Sequence, residues 1–378
     1  MPARLTTDQL RRDLAIPDLT DPAGGPHAIQ LVVDRAVRTL ADLWGCEVRW
    51  WRGDRIVTIE DNYDNLGYDG AAVTRDARYT RYVDDRRMLR SHSSAMVPPA
   101  LRALAHDPAD DVLLVCPGIV YRRDTIDRLH TGTPHQLDLW RITRRRPPMA
   151  GVDLDEMTTA LLGALLPGTI DRREPRRHPY TLAGRQVDVC RDGDWVEVAE
   201  CGLAHPGVLA TAGLGRSWSG LALGMGLDRM LMLVKGIPDI RALRSSDPAI
   251  AAQLADLGPY RPVSAMPAIR RDISIAVDPG DVAEDLGDRV RTALGEEATC
   301  VESVQILQET PCATLPAPAL ARLGARAGQK NVLIRIVLRH LEKTLSDREA
   351  NTMRDRIYAA LHQGTAHQWA RHPQRDRA

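Results

Sequence analysis

Hydrophobic positions along this chain change period several times, and each change predicts an element. From His27 to Trp44 (HAIQLVVDRAVRTLADLW), Ile29, Val32, Val33, Ala36, Leu40 and Leu43 fall three or four apart, which predicts an amphipathic helix over 27–44. Between Asp111 and Thr143 the pattern turns extended. DVLLVCPGIVYRR and HQLDLWRIT are apolar or alternating runs around a polar loop rich in Arg, Asp and His. Period two in HQLDLW sets Gln136, Asp138 and Trp140 on one face and Leu137 and Leu139 on the other. VDVCRDGDWVEVAE predicts a β-hairpin turning at Asp192-Gly193. A helix is expected to open near Gly226, run through LDRMLMLVKG and stop at Gly236, before Pro238.

The composition shifts around LGPYRP (257–262), which places a domain boundary near 260. Beyond it Ile273, Ile275 and Val277 alternate as a strand. Val282, Leu286, Val290 and Leu294 recur four apart as a helix, and NVLIRIVL is a second strand. Ser346 with Glu349 forms a capping box, opening a helix that carries Ala350, Met353, Ile357 and Leu361. This order fits a small βαββαβ, ferredoxin-like module with its own core, so deletion from about 262 onward is expected to leave the rest folded.

With 378 residues the chain has room for two or three domains. Its 50 Lys and Arg balance its 50 Asp and Glu, so a polyanion site must be a local patch rather than a global field. No apolar run approaches the eighteen or so residues that span a bilayer, and no membrane association is expected. The N-terminus MPARLTTDQLRRDLAIPDL has no apolar core of a signal peptide. The six cysteines lack CxxC spacing. Both observations predict a reduced, cytoplasmic protein. Lys occurs only at 235, 330 and 343, and Phe is absent altogether. A bias towards GC-rich codons accounts for the Arg, but thins Phe rather than erasing it.

Two stretches carry candidate chemistry. The amide and carboxylate of Gln136 and Asp138 on one strand face fit a floor for an ammonium, and equally the solvated face of an edge strand. GLALGMGLDR is glycine-rich ahead of a helix, which suits phosphate, and Arg229 in the first turn makes nucleotide contact plausible.

Taken in order, five segments resemble the class II phenylalanyl-tRNA synthetase family. YRRDTIDRLH with HQLD resembles its motif 2, and WVEVAECGLAHPGVL its WLEVxGCGMVHPNVL block. GLALGMGLDRM with GIPDIRAL resembles motif 3, and LRSHSSA the LRTHTS segment. RRDISIAV and RHLEKTLSDREAN are similar to the anticodon-binding domain. The resemblance runs from about His27 to Ala366 and matches the monomeric, organelle-type arrangement. It implies an α+β fold, with an antiparallel-sheet catalytic domain over 1–260 and a ferredoxin-fold anticodon-binding domain over 261–372. It also implies ATP and Mg²⁺ as cofactors, an amino acid and tRNA as partners, and transfer to the 2′-hydroxyl of the terminal adenosine.

Residue by residue, the resemblance gives Arg122 to the α-phosphate, Arg229 to the far side of the nucleotide and Glu197 to the metal and triphosphate, all three as catalytic residues. His92, Ser94, Gln136 and Asp138 match amino-acid-binding positions, and Asp124 and His130 match the motif 2 loop; both Asp124 and Asp138 stand where the family has Glu. The family's Phe-Pro-Phe reads His178-Pro179-Tyr180 here, and its FAFG strand reads Leu221-Ala222-Leu223-Gly224. Arg270, Arg271, Arg339, His340, Lys343 and Arg354 would face tRNA. These pocket departures leave three readings open: a phenylalanine ligase, a paralogue of altered specificity or a resistant duplicate, and a non-catalytic RNA-binding regulator.

Overall fold

The computed structural model describes residues 4–72, 75, 80–262, 266–326 and 328–367. They form two compact units. The first holds a seven-stranded sheet in the order β1-β4-β5-β9-β8-β7-β6. Its strands are β1 (Glu47–Trp50), β4 (Asp111–Ile119), β5 (His135–Thr143), β6 (Asp171–Pro175), β7 (Thr181–Arg191), β8 (Asp194–Ala204) and β9 (Ser219–Gly226). Only β1 runs parallel to its neighbour, and every other pairing is antiparallel. A separate ribbon pairs β2 (Ile56–Thr58) with β3 (Arg87–Leu89).

Helices Ala28–Trp44, Gly151–Leu165 and Leu227–Lys235 pack together. The first of them starts one residue inside its expected bounds. His27 caps it by accepting the Ile29 amide through Nδ1 at 3.1 Å, and Gly45 ends it in the left-handed region. Ile29, Val32, Val33, Ala36 and Leu40 are buried as the spacing predicts, whereas Leu43 is exposed. The β7–β8 hairpin turns at Asp192-Gly193, both at positive φ. The helix after β9 runs between Gly226 and Gly236. A helix over Thr7–Ala15, opened by a Thr6–Gln9 capping box, is an addition to the sequence reading. No helix among the described residues is long and apolar enough to cross a membrane.

The second unit carries a three-stranded antiparallel sheet, β10 (Ile269–Val277), β12 (Lys330–Leu338) and β11 (Val301–Pro311) in that order. Helices Ala283–Leu294 and Asp347–Leu361 pack on each other. Ser346 and Glu349 form the expected capping box. The order of elements is βαβαβα, with the short helix Ala317–Leu323 inserted before β12, and no strand follows the last helix among the described residues. Alternation along β12 buries Val332, Ile334, Ile336 and Leu338 against Leu286, Val290, Ile357 and Leu361.

This unit is not continuous in sequence. Arg123–Gly132 and Asp239–Ala251 belong to it along with the chain from Arg261 onward. Ile126 enters its core. The Ile126 carbonyl accepts the Val304 amide at 2.9 Å, and Arg291 donates to the carbonyls of Asp124 and Thr125 at 2.5 and 2.7 Å. An autonomous tail is therefore corrected: its core is completed by a loop from the first half of the chain. Truncation before residue 262 should strip the cover from Ile126, a side chain worth roughly 1.5–3 kcal/mol when buried. Trypsin is expected to cut at Arg123 or Arg128 far faster in the truncated chain than in the full one. Equal cleavage rates would contradict this packing.

Candidate active site

Strand register builds the site. In β5, β9 and β8, Asp138 lies opposite Gly224, which lies opposite Glu200, while Trp140, Ala222 and Gly202 form the next row and Gln136 faces Gly226. With strands about 4.8 Å apart, the Asp138 and Glu200 backbones sit about 10 Å apart across a lane of glycine. A Cβ on Gly224 would meet only Asp138 Oδ2, at 3.9 Å, and one on Gly226 would meet nothing within 4 Å. The lane is an open slot with a carboxylate on each side.

Parity sends the alternate residues to the other face. Leu223 and Met225 line a small apolar cavity with Leu161, Leu162 and Leu165. Leu221 shares their parity, pairing with Arg141 and Leu203. The expectation that Leu221 and Leu223 touch substrate is corrected on this ground; of that trio only Ala222 faces the slot. A β-bulge between β7 and β8 inserts Val198. Val198 and Ala199 both line the apolar cavity, which leaves Glu197 and Glu200 together on the slot face although they are three residues apart.

The 91–94 turn closes one wall. Asn62 Nδ2 donates to Ser91 Oγ at 2.9 Å and approaches His92 Nε2 at 3.4 Å, while Ser91 N donates to Asn62 Oδ1 at 3.1 Å. With Nε2 accepting, the His92 proton sits on Nδ1, which is buried and has no partner among the described residues. Enclosure and the Arg122 charge hold the imidazole down to about 3. Gln136 Oε1 accepts the Ser93 amide at 3.1 Å. Asp138 accepts from Ser93 Oγ, from Ser94 Oγ at 3.1 Å and from Trp140 Nε1 at 3.1 Å; burial nevertheless pushes its carboxyl up. Below the turn, buried Arg90 spans the Ile119 and Gly53 carbonyls at 2.7 and 2.9 Å and lies 3.5 Å from Asp18.

Aromatic rings continue from this wall. Tyr68 stacks on His92 at 5.8 Å and lies 6.2 Å from Tyr180, which is 6.1 Å from Trp140 and 5.5 Å from His178. Gly67, at φ +80°, lets the Tyr68 loop approach Pro179 so closely that a Cβ would sit 3.3 Å from its carbonyl. His178 Nε2 pairs with Glu200 Oε2 at 2.8 Å, and Arg176 lies 3.4 Å from Glu200 Oε1.

At the other end Arg122 is anchored by donating Nε to the Ser91 carbonyl at 2.8 Å. Arg229 donates to the Glu197 carbonyl at 3.1 Å from the first turn of its helix. The Glu197 carboxylate is exposed, makes no hydrogen bond or ion pair with a described residue, and is pushed up by desolvation and by Glu200 beside it. Asp228, next to Arg229, binds the His135 amide and His135 Nδ1, the latter at 3.0 Å; His135 Nε2 accepts the Leu19 amide at 3.1 Å. This buried bracket fixes the Arg229 helix to the head of β5.

The remaining predicted residues are all part of the second unit. Asp124 and His130 belong to the second unit, where His130 Nδ1 pairs with Asp127 at 2.8 Å. Arg271 pairs with Asp347 at 2.7 Å, Arg339 with Glu302, Lys343 with Glu349 at 2.9 Å and Arg354 with Asp355 at 2.6 Å. His340 Nδ1 accepts the Glu342 amide at 3.0 Å. Among these six, only the Arg270 side chain is exposed and makes no hydrogen bond or ion pair with a described residue.

Sequence reasoning passes over Asn62, Tyr68, Asp228 and Glu200. For Glu200 a signal exists: it replaces the Gly of the WLEVxGCGMVHPNVL block.

A family model for the tRNA synthetases class II core domain (F) matches residues 11–254. A probable mitochondrial phenylalanine–tRNA ligase from Drosophila melanogaster is 27% identical over 364 residues, covering 81% of this chain and 75% of that protein. The chloroplastic/mitochondrial ligase of Arabidopsis thaliana is 28% identical over 317 residues, covering 80% and 68%. The alpha subunit of the Prochlorococcus marinus ligase is 33% identical over 236 residues, covering 61% and 68%.

Neutral His92 has a pH consequence. Its folded pKa lies below the unfolded value of about 6.5, so its stabilising contribution is complete above that value and is lost as pH falls towards about 3. Denaturant titrations over this window should show wild type losing up to a few kcal/mol more than His92→Gln. Parallel losses in the two proteins would place the imidazole in a solvated, ordinary environment.

Proposed function

We propose that this chain, which belongs to the class II tRNA synthetase core family, is a phenylalanine–tRNA ligase-type enzyme that activates an aromatic amino acid with ATP and transfers it to tRNA. The observation that carries the reading is the polarity of one sheet face. Amide, imidazole and carboxylate groups of Gln136, His92 and Asp138 gather at the slot, and Arg122, Arg229 and Glu197 gather beside it. The amino-acid carboxylate attacks the α-phosphorus of ATP, pyrophosphate leaves, and a tRNA hydroxyl then displaces AMP from the acyl carbon. Both displacements build charge that fixed guanidinium groups stabilise without reorganisation. Arg122 is suited to the α-phosphate because Ser91 holds its Nε and orients the fork.

Magnesium fits the oxygen chemistry of Glu197, which is exposed and makes no hydrogen bond or ion pair with a described residue. Among the described residues no cluster of three or more His, Cys, Asp or Glu could hold a metal by itself, as suits an ion bound largely by phosphate and water. Bound there, it would neutralise the triphosphate as pyrophosphate departs. The second unit, with strand order β10-β12-β11 and two packed helices, supports a ferredoxin-like anticodon-binding module. Four of its six candidate cations are engaged in internal ion pairs, so RNA contact would rest on Arg270 or on exchange of those partners. A silent RNA-binding paralogue fits poorly, since it has no use for Arg122, Arg229 and Glu197 together.

Arg122→Ala and Arg229→Ala should each lower ATP–pyrophosphate exchange by about 10²–10³-fold while circular dichroism and melting stay close to wild type. Near-normal exchange in either would remove the nucleotide assignment.

A further inference from the structure

We infer that the accepted amino acid carries a hydrogen-bond donor on the flank of an aromatic ring, and that Glu200 selects it; this rests on the ligase reading above. Asp138 and Glu200 face one slot from opposite sides of Gly224. One carboxylate suffices for an α-ammonium. Asp138, beside Gln136 and the Ser93–Ser94 turn, stands where the substrate backbone would lie. Glu200 is then surplus to anchoring and has the chemistry to read a side chain.

Its state supports that task. Burial pushes the Glu200 carboxyl up, but His178, Arg176 and Arg122 outweigh burial and hold it below the usual range, so it is ionised at neutral pH. An ionised carboxylate only accepts, at up to about four positions. His178 takes one on Oε2, and Arg176 stands off Oε1 at 3.4 Å, which leaves acceptor capacity towards the slot. The side chain is 27% exposed, and a plain hydrocarbon ring filling the slot would strip its remaining water without replacing it. A ring hydroxyl or ring N–H would replace that water.

Walls and depth restrict the shape. Tyr68, Tyr180 and His178 are partly exposed rings beside the slot, which favours a flat aromatic guest. The deep end is shut. Ala222 and Gly202 form the next row, and Thr181 fills the space over Gly202 so closely that a Cβ there would meet it at 2.7 Å. Glu200 lies beside the slot rather than at that end, so the donor belongs at a meta or ortho position and not at the ring tip.

The test is ATP–pyrophosphate exchange with L-phenylalanine, L-tyrosine, and meta- and ortho-hydroxyphenylalanine, in wild type, Glu200→Gln and Glu200→Gly, with ligand-induced melting shifts measured in parallel. Wild type should favour the meta- or ortho-hydroxylated ring over L-phenylalanine by about tenfold to a hundredfold in kcat/KM. Glu200→Gly should reverse that ranking by improving L-phenylalanine, and Glu200→Gln should flatten it. If either variant fails to fold, the wild-type ranking and melting shifts alone decide. A wild-type preference for L-phenylalanine or L-tyrosine, unmoved by Glu200→Gly, overturns the inference. No exchange and no melting shift with any amino acid overturns the ligase reading itself.

Discussion

The antiparallel register of β5, β9 and β8 is the constraint on which the site depends. Hydrogen bonding across these strands fixes which residues stand in a row, and a shift of one residue would exchange the slot-facing set for the Leu-rich set behind it. Three devices hold the register. The Asp228–His135 bracket ties the head of β5 to the helix that follows β9. Hydroxyls and an indole converge on Asp138 and bind the 91–94 turn to the middle of β5. The Val198 bulge corrects the phase of β8, so that both of its glutamates reach the same face. Chemistry and folding therefore share one set of buried polar contacts, each costly to break because its partner would be left unsatisfied.

Much of this arrangement is legible in the sequence, for physical reasons. Helix 28–44, the Asp192-Gly193 hairpin and the Ser346 capping box are local: their signals lie within a few residues and need no distant partner. Gln136, Asp138 and Trp140 could be set on one strand face because period two is geometric. What escapes is what local pattern cannot encode. Nothing in YRRDTIDRLH announces that Ile126 completes the core of a module that begins more than a hundred residues later. Leu221 and Leu223 were expected at the substrate because a family segment contains them, yet parity places them with the helices. That Glu200 stands as a substitution is legible, but which way it faces is not until the bulge is known, since undisturbed alternation would set it opposite Glu197.

Replacing aromatic residues with polar ones around a slot changes what the slot rewards. A ring pocket gains affinity from burial and edge-to-face contact, about 0.5–1.5 kcal/mol per pair beyond area, and discriminates poorly against added polar atoms. His178 paired with Glu200 reverses that tendency, because an enclosed ionised group penalises any guest that leaves it dry and unpaired. The absence of Phe from the whole chain is consistent with an enzyme made under conditions in which phenylalanine incorporation is scarce or compromised. Nothing in the fold requires that absence, since Leu, Ile and Met fill both cores.

The central claim is that this sheet face makes an aminoacyl ester of an aromatic amino acid. Incubation of the full chain with ATP, magnesium, total tRNA and a mixture of natural and ring-hydroxylated amino acids, followed by nuclease digestion and mass spectrometry of the terminal adenosine, reads that product directly. The account predicts an aromatic aminoacyl-adenosine, formed only when ATP is present and carried on one tRNA species. A terminal adenosine that stays unesterified, or one bearing an aliphatic or acidic amino acid, would contradict it.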